Sequence, residues 1–73
     1  MGVRTAAAVL RLPLGPGSRA WRRALGRVLR AADEGDAAAM GAVAGVTASH
    51  GSAAVWEVWL RSGGPGARPW ASP

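Results

Sequence analysis

Apolar residues recur at helical spacing most clearly in one part of this chain, between residues 19 and 34. They are Trp21, Leu25, Val28, Leu29 and Ala32, which at 100° per residue fall within an arc of about 100°. Ser18 precedes the segment as a candidate N-cap, and Gly35 follows it as a natural helix stop. The pattern therefore predicts an amphipathic helix over residues 19–34.

Two shorter helices are predicted on either side of it, at about 5–12 and 53–61. The first has Thr5 as a candidate N-cap and ends before Pro13. The second has Ser52 as a candidate cap and places Glu57 four residues before Arg61, the spacing of a helical ion pair. Its valines and tryptophans also suit a short strand, which is the competing interpretation.

Residues 37–56 carry no formal charge, and a run of that length would suit a membrane span. Alanine and glycine dominate it, however, and Thr47, Ser49, His50 and Ser52 interrupt it, so it is a poor candidate. Gly41 and Gly45 form a GxxxG spacing, which allows close helix packing in lipid. In so Gly/Ala-rich a sequence that spacing arises easily by chance.

The composition predicts little independent core. Leu and Val together contribute 13 residues, whereas 17 of the 73 are alanine, and Ile, Phe and Cys are absent. Ordering a chain of this size costs on the order of 100 kcal/mol at about 1.5 kcal/mol per residue. We therefore expect a mostly disordered chain with short helices and no globular core, divided into a basic segment (1–32), an Ala/Gly-rich segment with a Trp-containing helix (33–61) and a disordered tail (62–73).

Charge is distributed very unevenly. The first 32 residues contain seven arginines and no acid. Those of the central helix, Arg19, Arg22, Arg23, Arg27 and Arg30, lie opposite its apolar stripe. A helix with such faces suits the headgroup region of an anionic membrane, where the stripe is buried and arginine meets phosphate. Because the arginines begin the helix and Asp33 and Glu34 end it, the charge order opposes the helix dipole.

On these residues the N-terminal part resembles the mitochondrial presequence class, which is arginine-rich, acid-free and amphipathic. The resemblance implies an import receptor or an anionic membrane surface as the partner of residues 19–34. The implied contacts are Arg19, Trp21, Arg22, Arg23, Leu25, Arg27, Val28, Leu29 and Arg30. Leu25-Gly26-Arg27-Val28-Leu29 fits the receptor-binding pattern of the class, and an arginine two residues before the cut implies cleavage between Ala31 and Ala32.

Catalytic and cofactor chemistry find little support in the residue types. His50 is the only histidine and there is no cysteine, so neither a His/Cys metal cluster nor a Cys–His pair can be assembled. No enzyme activity and no cofactor are expected. Nucleic acid is a less favoured partner, because Trp21 lies on the aliphatic face, away from the arginines that would track a phosphate backbone.

These observations predict a short non-enzymatic microprotein, or a truncated isoform, that carries a mitochondrial address. Its mature function and oligomeric state are left open. Two alternatives stand beside it: the product of a GC-rich reading frame with no evolved function, present in the cytoplasm or diffuse, and a peripheral peptide that binds anionic membranes. The composition motivates the reading-frame hypothesis, because Ala, Gly, Pro and Arg have GC-rich codons; detection of the endogenous peptide would exclude it.

Overall fold

Four helices follow one another along the described chain, which in this computed structural model comprises residues 1–64 and 66–70. They are α1 (Val3–Leu10), α2 (Arg19–Asp33), α3 (Ala37–His50) and α4 (Ser52–Arg61). Helix α2 packs against each of the other three, and α3 also contacts α1 and α4. The prediction of a mostly disordered chain without a globular core is therefore wrong.

Helix α2 forms where the periodicity predicts it, one residue shorter than expected. The Trp21 amide donates to Ser18 Oγ at 3.2 Å, so Ser18 is the N-cap. At the other end Gly35 adopts a φ of 98°, and the amides of Gly35 and Asp36 donate to the carbonyls of Ala32 and Ala31 at 3.0 and 3.1 Å. This is a Schellman ending, which satisfies two carbonyls that would otherwise lack partners.

Helix α3 was not predicted, although its start carries a clear local signal. Asp36 Oδ1 accepts a hydrogen bond from the Ala39 amide at 3.0 Å, which makes Asp36 the N-cap. The helix buries Val43 and Val46 against its neighbours. Its remaining residues are nearly all small and uncharged, so no periodic contrast between apolar and polar positions marks it in the sequence.

The capping predictions for the outer helices are wrong. Helix α1 begins at Val3 after Gly2, so Thr5 lies inside its first turn. Ser52 is the first residue of α4, and the preceding Gly51 adopts a φ of 90° that joins α3 to α4. The segment at 53–61 is helical, which excludes the alternative of a strand there.

Among the described residues the core contains five alanines and ten larger side chains, each no more than 9% exposed. The larger ones are Leu10, Trp21, Leu25, Val28, Leu29, Val43, Val46, Val55, Val58 and Trp59; the alanines are Ala6, Ala24, Ala31, Ala32 and Ala39. Alanine is the strongest helix former and loses no rotamer entropy on burial. At helix contacts it also allows the backbones to approach closely. The Cα radius of gyration is 10.6 Å, close to the roughly 11 Å of a compact domain of this length.

The described part of the predicted disordered tail folds back on α4. The rings of Trp59 and Trp70 meet edge to face, with centroids 5.0 Å apart and an interplanar angle of 80°. The Gly64 amide donates to the Trp59 carbonyl at 3.0 Å, which closes a second Schellman ending. The prediction of disorder at residue 65 and at residues 71–73 lies outside the described residues.

Gly64→Ala is expected to destabilise the fold by about 1–3 kcal/mol. A Cβ at this position would overlap the indole of Trp59, whose neighbours Val55 and Val58 are themselves buried. Thermal unfolding followed by circular dichroism measures the effect. Gly17→Ala is the matched control, because a Cβ there meets no atom within 4 Å and its φ is unstrained; equal melting temperatures for the two variants would contradict the packing of Gly64 on Trp59.

The interpretation of residues 37–56 as a poor membrane span agrees with the structure. These residues are divided between α3 and α4 at Gly51. In the described chain, no helix has both the length and the continuous apolar character needed to cross a bilayer.

Candidate functional site

The most distinctive surface of the molecule is a row of arginines along α2. Arg19, Arg23, Arg27 and Arg30 fall within an arc of about 80° at 100° per residue, and we call them the arginine ridge. Arg19, Arg23 and Arg30 are exposed, and Arg27 is half-buried. Eleven residues separate the first from the last, so at 1.5 Å per residue the ridge is about 16 Å long.

The opposite side of α2 is completely enclosed by the rest of the chain. Trp21, Leu25, Val28 and Leu29 are each 0% exposed, and Ala32 is 1% exposed. The set of contacts predicted from the sequence therefore divides into two: its arginines lie at the surface, whereas its apolar members form the core. The structure brings the four apolar residues together on one face, but in the folded protein they are not accessible to a membrane or to a receptor.

The predicted cleavage position is enclosed as well. Ala31 and Ala32 are 2% and 1% exposed and lie within the last turns of α2. Peptidases act on extended, accessible backbone. Cleavage between these two residues therefore requires α2 to leave the bundle and unwind.

Acidic side chains do little to neutralise the arginine ridge. In the described part of the chain the one ion pair within 4.0 Å joins Arg68 to Asp33 at 3.3 Å. The predicted pair between Glu57 and Arg61 is thus not formed. Asp36 is engaged as the cap of α3. Among these residues no arginine of the ridge has a carboxylate partner, so the ridge presents its positive charge to the solvent.

One contact of the ridge is within the protein. Arg27 Nε donates to the Met1 carbonyl at 3.1 Å, which ties the chain before α1 to the middle of α2. Arg19 and Arg22, by contrast, do not stabilise α2. They lie in its first turn, where the helix dipole favours acidic side chains by about 0.3–1 kcal/mol. Helix stability alone does not account for arginine at these positions.

A second surface feature, which the sequence interpretation missed, is an open groove between α3 and the end of α1 with the loop after it. Its volume is about 980 Å³. The floor is formed by small residues of α3, including Gly41 and Gly45, and the wall by Leu12 and Leu14, which are 52% and 42% exposed. In the sequence, only the GxxxG spacing of Gly41 and Gly45 indicates the face of α3 that forms the floor. That spacing does not predict a groove, because the loop that forms the wall is distant in the sequence.

The remaining candidate chemistry is confined to His50 and Trp21. The exposed His50 is the last residue of α3, and the centroids of its ring and of the Trp21 indole lie 5.1 Å apart in an edge-to-face arrangement. Trp21 Nε1 is buried without a hydrogen-bond partner in the described structure. Within the described residues no group of three or more His, Cys, Asp or Glu side chains is placed to hold a metal ion.

No protein-family model, curated protein or solved structure matches this chain. The function is therefore inferred from the arginine ridge and the groove themselves.

Proposed function

We propose that the folded protein attaches to anionic membrane surfaces through the arginine ridge, without inserting the apolar stripe of α2. The observation that carries this proposal is that α2 combines a row of arginines, three exposed and one half-buried, with a fully buried apolar stripe. An amphipathic peptide that lies in the headgroup region buries its apolar face in lipid. Here the protein core already occupies that face, so charge is the available means of attachment.

A lipid surface fits the ridge better than a nucleic acid does. The three exposed arginines of the ridge, Arg19, Arg23 and Arg30, lie within a narrow arc of α2 and can therefore contact the phosphates of one planar surface together. Proteins that bind single-stranded nucleic acid combine a basic groove with aromatic rings on which the bases stack. The one aromatic residue of α2, Trp21, is 0% exposed and cannot stack. The chain also contains no Asn or Gln, the side chains that read adenine in a duplex.

The expected affinity is moderate and strongly salt-dependent. Each basic residue near an anionic leaflet contributes about 1 kcal/mol, so the three exposed arginines of the ridge supply about 3 kcal/mol at low ionic strength. Because the screening length is about 10 Å at 0.1 M salt, most of this attraction is lost as salt increases.

Co-sedimentation with lipid vesicles tests the proposal. We expect the full chain to bind vesicles that contain phosphatidylserine, not to bind vesicles of pure phosphatidylcholine, and to be released by salt. Helicity should be the same free and bound, because the protein binds without unfolding. Equal binding to both vesicle types, or a large change in helicity on binding, would exclude attachment of the folded protein by charge.

A second candidate function is an import address that acts before folding. One support is that α2 carries both the arginines and the residues that fit the receptor-binding pattern, Leu25, Val28 and Leu29. The other is that these three residues are fully buried in the bundle, so only an unfolded chain exposes them to a receptor. In this hypothesis the protein is mitochondrial, and folding of the bundle conceals the address. A chain that folds before it meets the receptor would stay outside the organelle.

This address predicts a difference between two reporter fusions. A fluorescent protein fused after residue 36 leaves α2 without α3 and α4, so the stripe stays exposed and we expect mitochondrial signal with shortening near Ala31. The same reporter fused after Trp70 should be imported less efficiently, because the bundle must first open. A diffuse signal from the shorter fusion would exclude the address, whatever the longer fusion does.

A further inference from the structure

We propose that the groove between α3 and the end of α1 binds an acidic amphipathic helix of a partner protein. This surface is distinct from the arginine ridge, so the proposal is independent of membrane attachment. The groove of about 980 Å³ runs along α3 and is lined on one side by the loop from Arg11 to Gly15. Recognition of a helix in a groove is a common mode of peptide binding.

The first argument is the unusual surface of α3. The helix contains no Asp, Glu, Lys or Arg, and apart from Thr47, Ser49 and His50 near its end it consists of small or apolar residues. Such a helix is normally buried on all sides. Here only Ala39, Val43 and Val46 are buried, and the opposite face is open to solvent.

The second argument is the fit to a helix. The groove-lining residues of α3 extend from Ala38 to His50, which at 1.5 Å per residue is about 18 Å, or just over three helical turns. A Cβ built at Gly41 or Gly45 meets no atom within 4 Å, so the floor is unobstructed. Small floor residues let a second backbone approach closely, while the exposed Leu12 and Leu14 give its apolar side chains a wall to contact.

The positive charge of the protein favours an acidic partner helix. The groove is lined by Arg11 and by no acidic residue, and the whole chain has a formal net charge of +5. Acidic residues flanking the apolar anchors of a partner helix would therefore be attracted to the rim, which favours association and suppresses basic competitors.

A second copy of the chain does not have the required shape or charge. Among the described residues the exposed large apolar side chains are Met1, Leu12, Leu14 and Leu60, and only Leu60 lies in a helix. No described helix therefore offers an exposed row of large apolar anchors. Two copies would also bring like charges together, since each carries +5.

The test uses a synthetic probe, a helical peptide of about 15 residues with leucines along one face and glutamates on the others. Its binding to the full chain is measured by fluorescence anisotropy. A peptide of the same composition with scattered leucines has the same charge but no apolar face, and it should bind at least 10-fold more weakly. Equal binding of both peptides would show adhesion by charge alone and would overturn the proposal.

Two substitutions test whether the probe binds in the groove. Gly45→Leu fills the floor and should weaken probe binding at least 10-fold, and Leu12→Ser removes part of the wall and should weaken it several-fold. Gly45→Leu also replaces a helical glycine by a strong helix former, so the fold should be kept. Ala20→Leu, which introduces the same side chain at an exposed position of α2 outside the groove, is the matched control and should bind normally.

The remaining outcomes also decide the question. No binding of the probe to the unmodified protein, or equal loss with Ala20→Leu, would overturn the proposal. Sedimentation of the unmodified protein as a dimer that Gly45→Leu makes monomeric would show that a second copy fills the groove instead.

Discussion

Trp21→Ala is expected to unfold the protein or to lower its melting temperature by at least about 12 °C. Removal of a fully buried tryptophan costs about 3–5 kcal/mol, and in a domain of this size each kcal/mol lowers the melting temperature by roughly 4–8 °C. Trp21 is 0% exposed and belongs to the face of α2 that contacts the other helices. Native domains are stable by only about 5–15 kcal/mol, and small ones by the least. Thermal and urea unfolding, followed by circular dichroism, measure the loss.

Leu60→Ala is the control for this prediction. Leu60 is 63% exposed, so its truncation should change the free energy of unfolding by less than about 0.5 kcal/mol. Were α2 instead an isolated amphipathic helix on a disordered chain, Trp21 would lie in solvent. Trp21→Ala would then have no more effect than Leu60→Ala, and that result would contradict the buried stripe.

The double substitution Arg19→Glu with Arg23→Glu is expected to weaken binding to phosphatidylserine vesicles by roughly 100- to 1,000-fold at low salt. Each reversal removes an attraction of about 1 kcal/mol and adds a repulsion of similar size, and 1.4 kcal/mol corresponds to tenfold in affinity. The fold should be unharmed. Arg19 lies in the first turn of α2, where a glutamate interacts favourably with the helix dipole by about 0.3–1 kcal/mol. Binding is measured by co-sedimentation and stability by thermal unfolding.

A pair of single reversals separates the ridge from the net charge. Arg23→Glu and Arg11→Glu change the net charge equally, and both side chains are exposed. Arg23 belongs to the arginine ridge, whereas Arg11 lines the groove beside α3. We expect Arg23→Glu to weaken vesicle binding by about 10- to 30-fold and Arg11→Glu to have much less effect. Equal effects would show that the vesicles respond to overall charge and not to the ridge.

The sequence contained enough information to predict α2 in detail. Its periodic apolar residues, the cap at Ser18 and the stop at Gly35 are local signals, and each of them is found in the structure. The arginine ridge follows from the same periodicity. What the periodicity could not specify was the partner of the apolar stripe, because a membrane, a receptor and the chain's own helices all offer the same apolar environment.

The failure to predict the core has a physical cause in the alanines. Counting Leu and Val alone omitted Ala6, Ala24, Ala31, Ala32 and Ala39, which are 0–2% exposed. Each buries little area, but alanine favours the helix and loses no side-chain entropy, so the cost of ordering is lower than an average per residue implies. Small residues also bring α2 close to its neighbours, which improves the packing of the larger side chains.

The groove could not be predicted, for a different reason. The floor at Gly41 and Gly45 and the wall at Leu12 and Leu14 are far apart in the sequence and become adjacent only when α1 and α3 pack against α2. Helix α3 itself gives no periodic signal, since its buried and exposed positions are equally apolar. The one local signal for the helix is its N-cap, Asp36, which stands directly before a run of alanines.

Amide hydrogen exchange, measured residue by residue with and without phosphatidylserine vesicles, tests most directly whether the protein acts as a folded bundle. In the free protein we expect slow exchange through α2, α3 and α4, with the slowest amides near Leu25 and Val43. On vesicles the same amides should stay protected, because the ridge binds from the outside of the bundle. Exchange in α3 and α4 at the rate of an unfolded chain in the free protein would contradict the fold. The same rapid exchange only in the presence of vesicles would show that α2 leaves the bundle to enter the membrane.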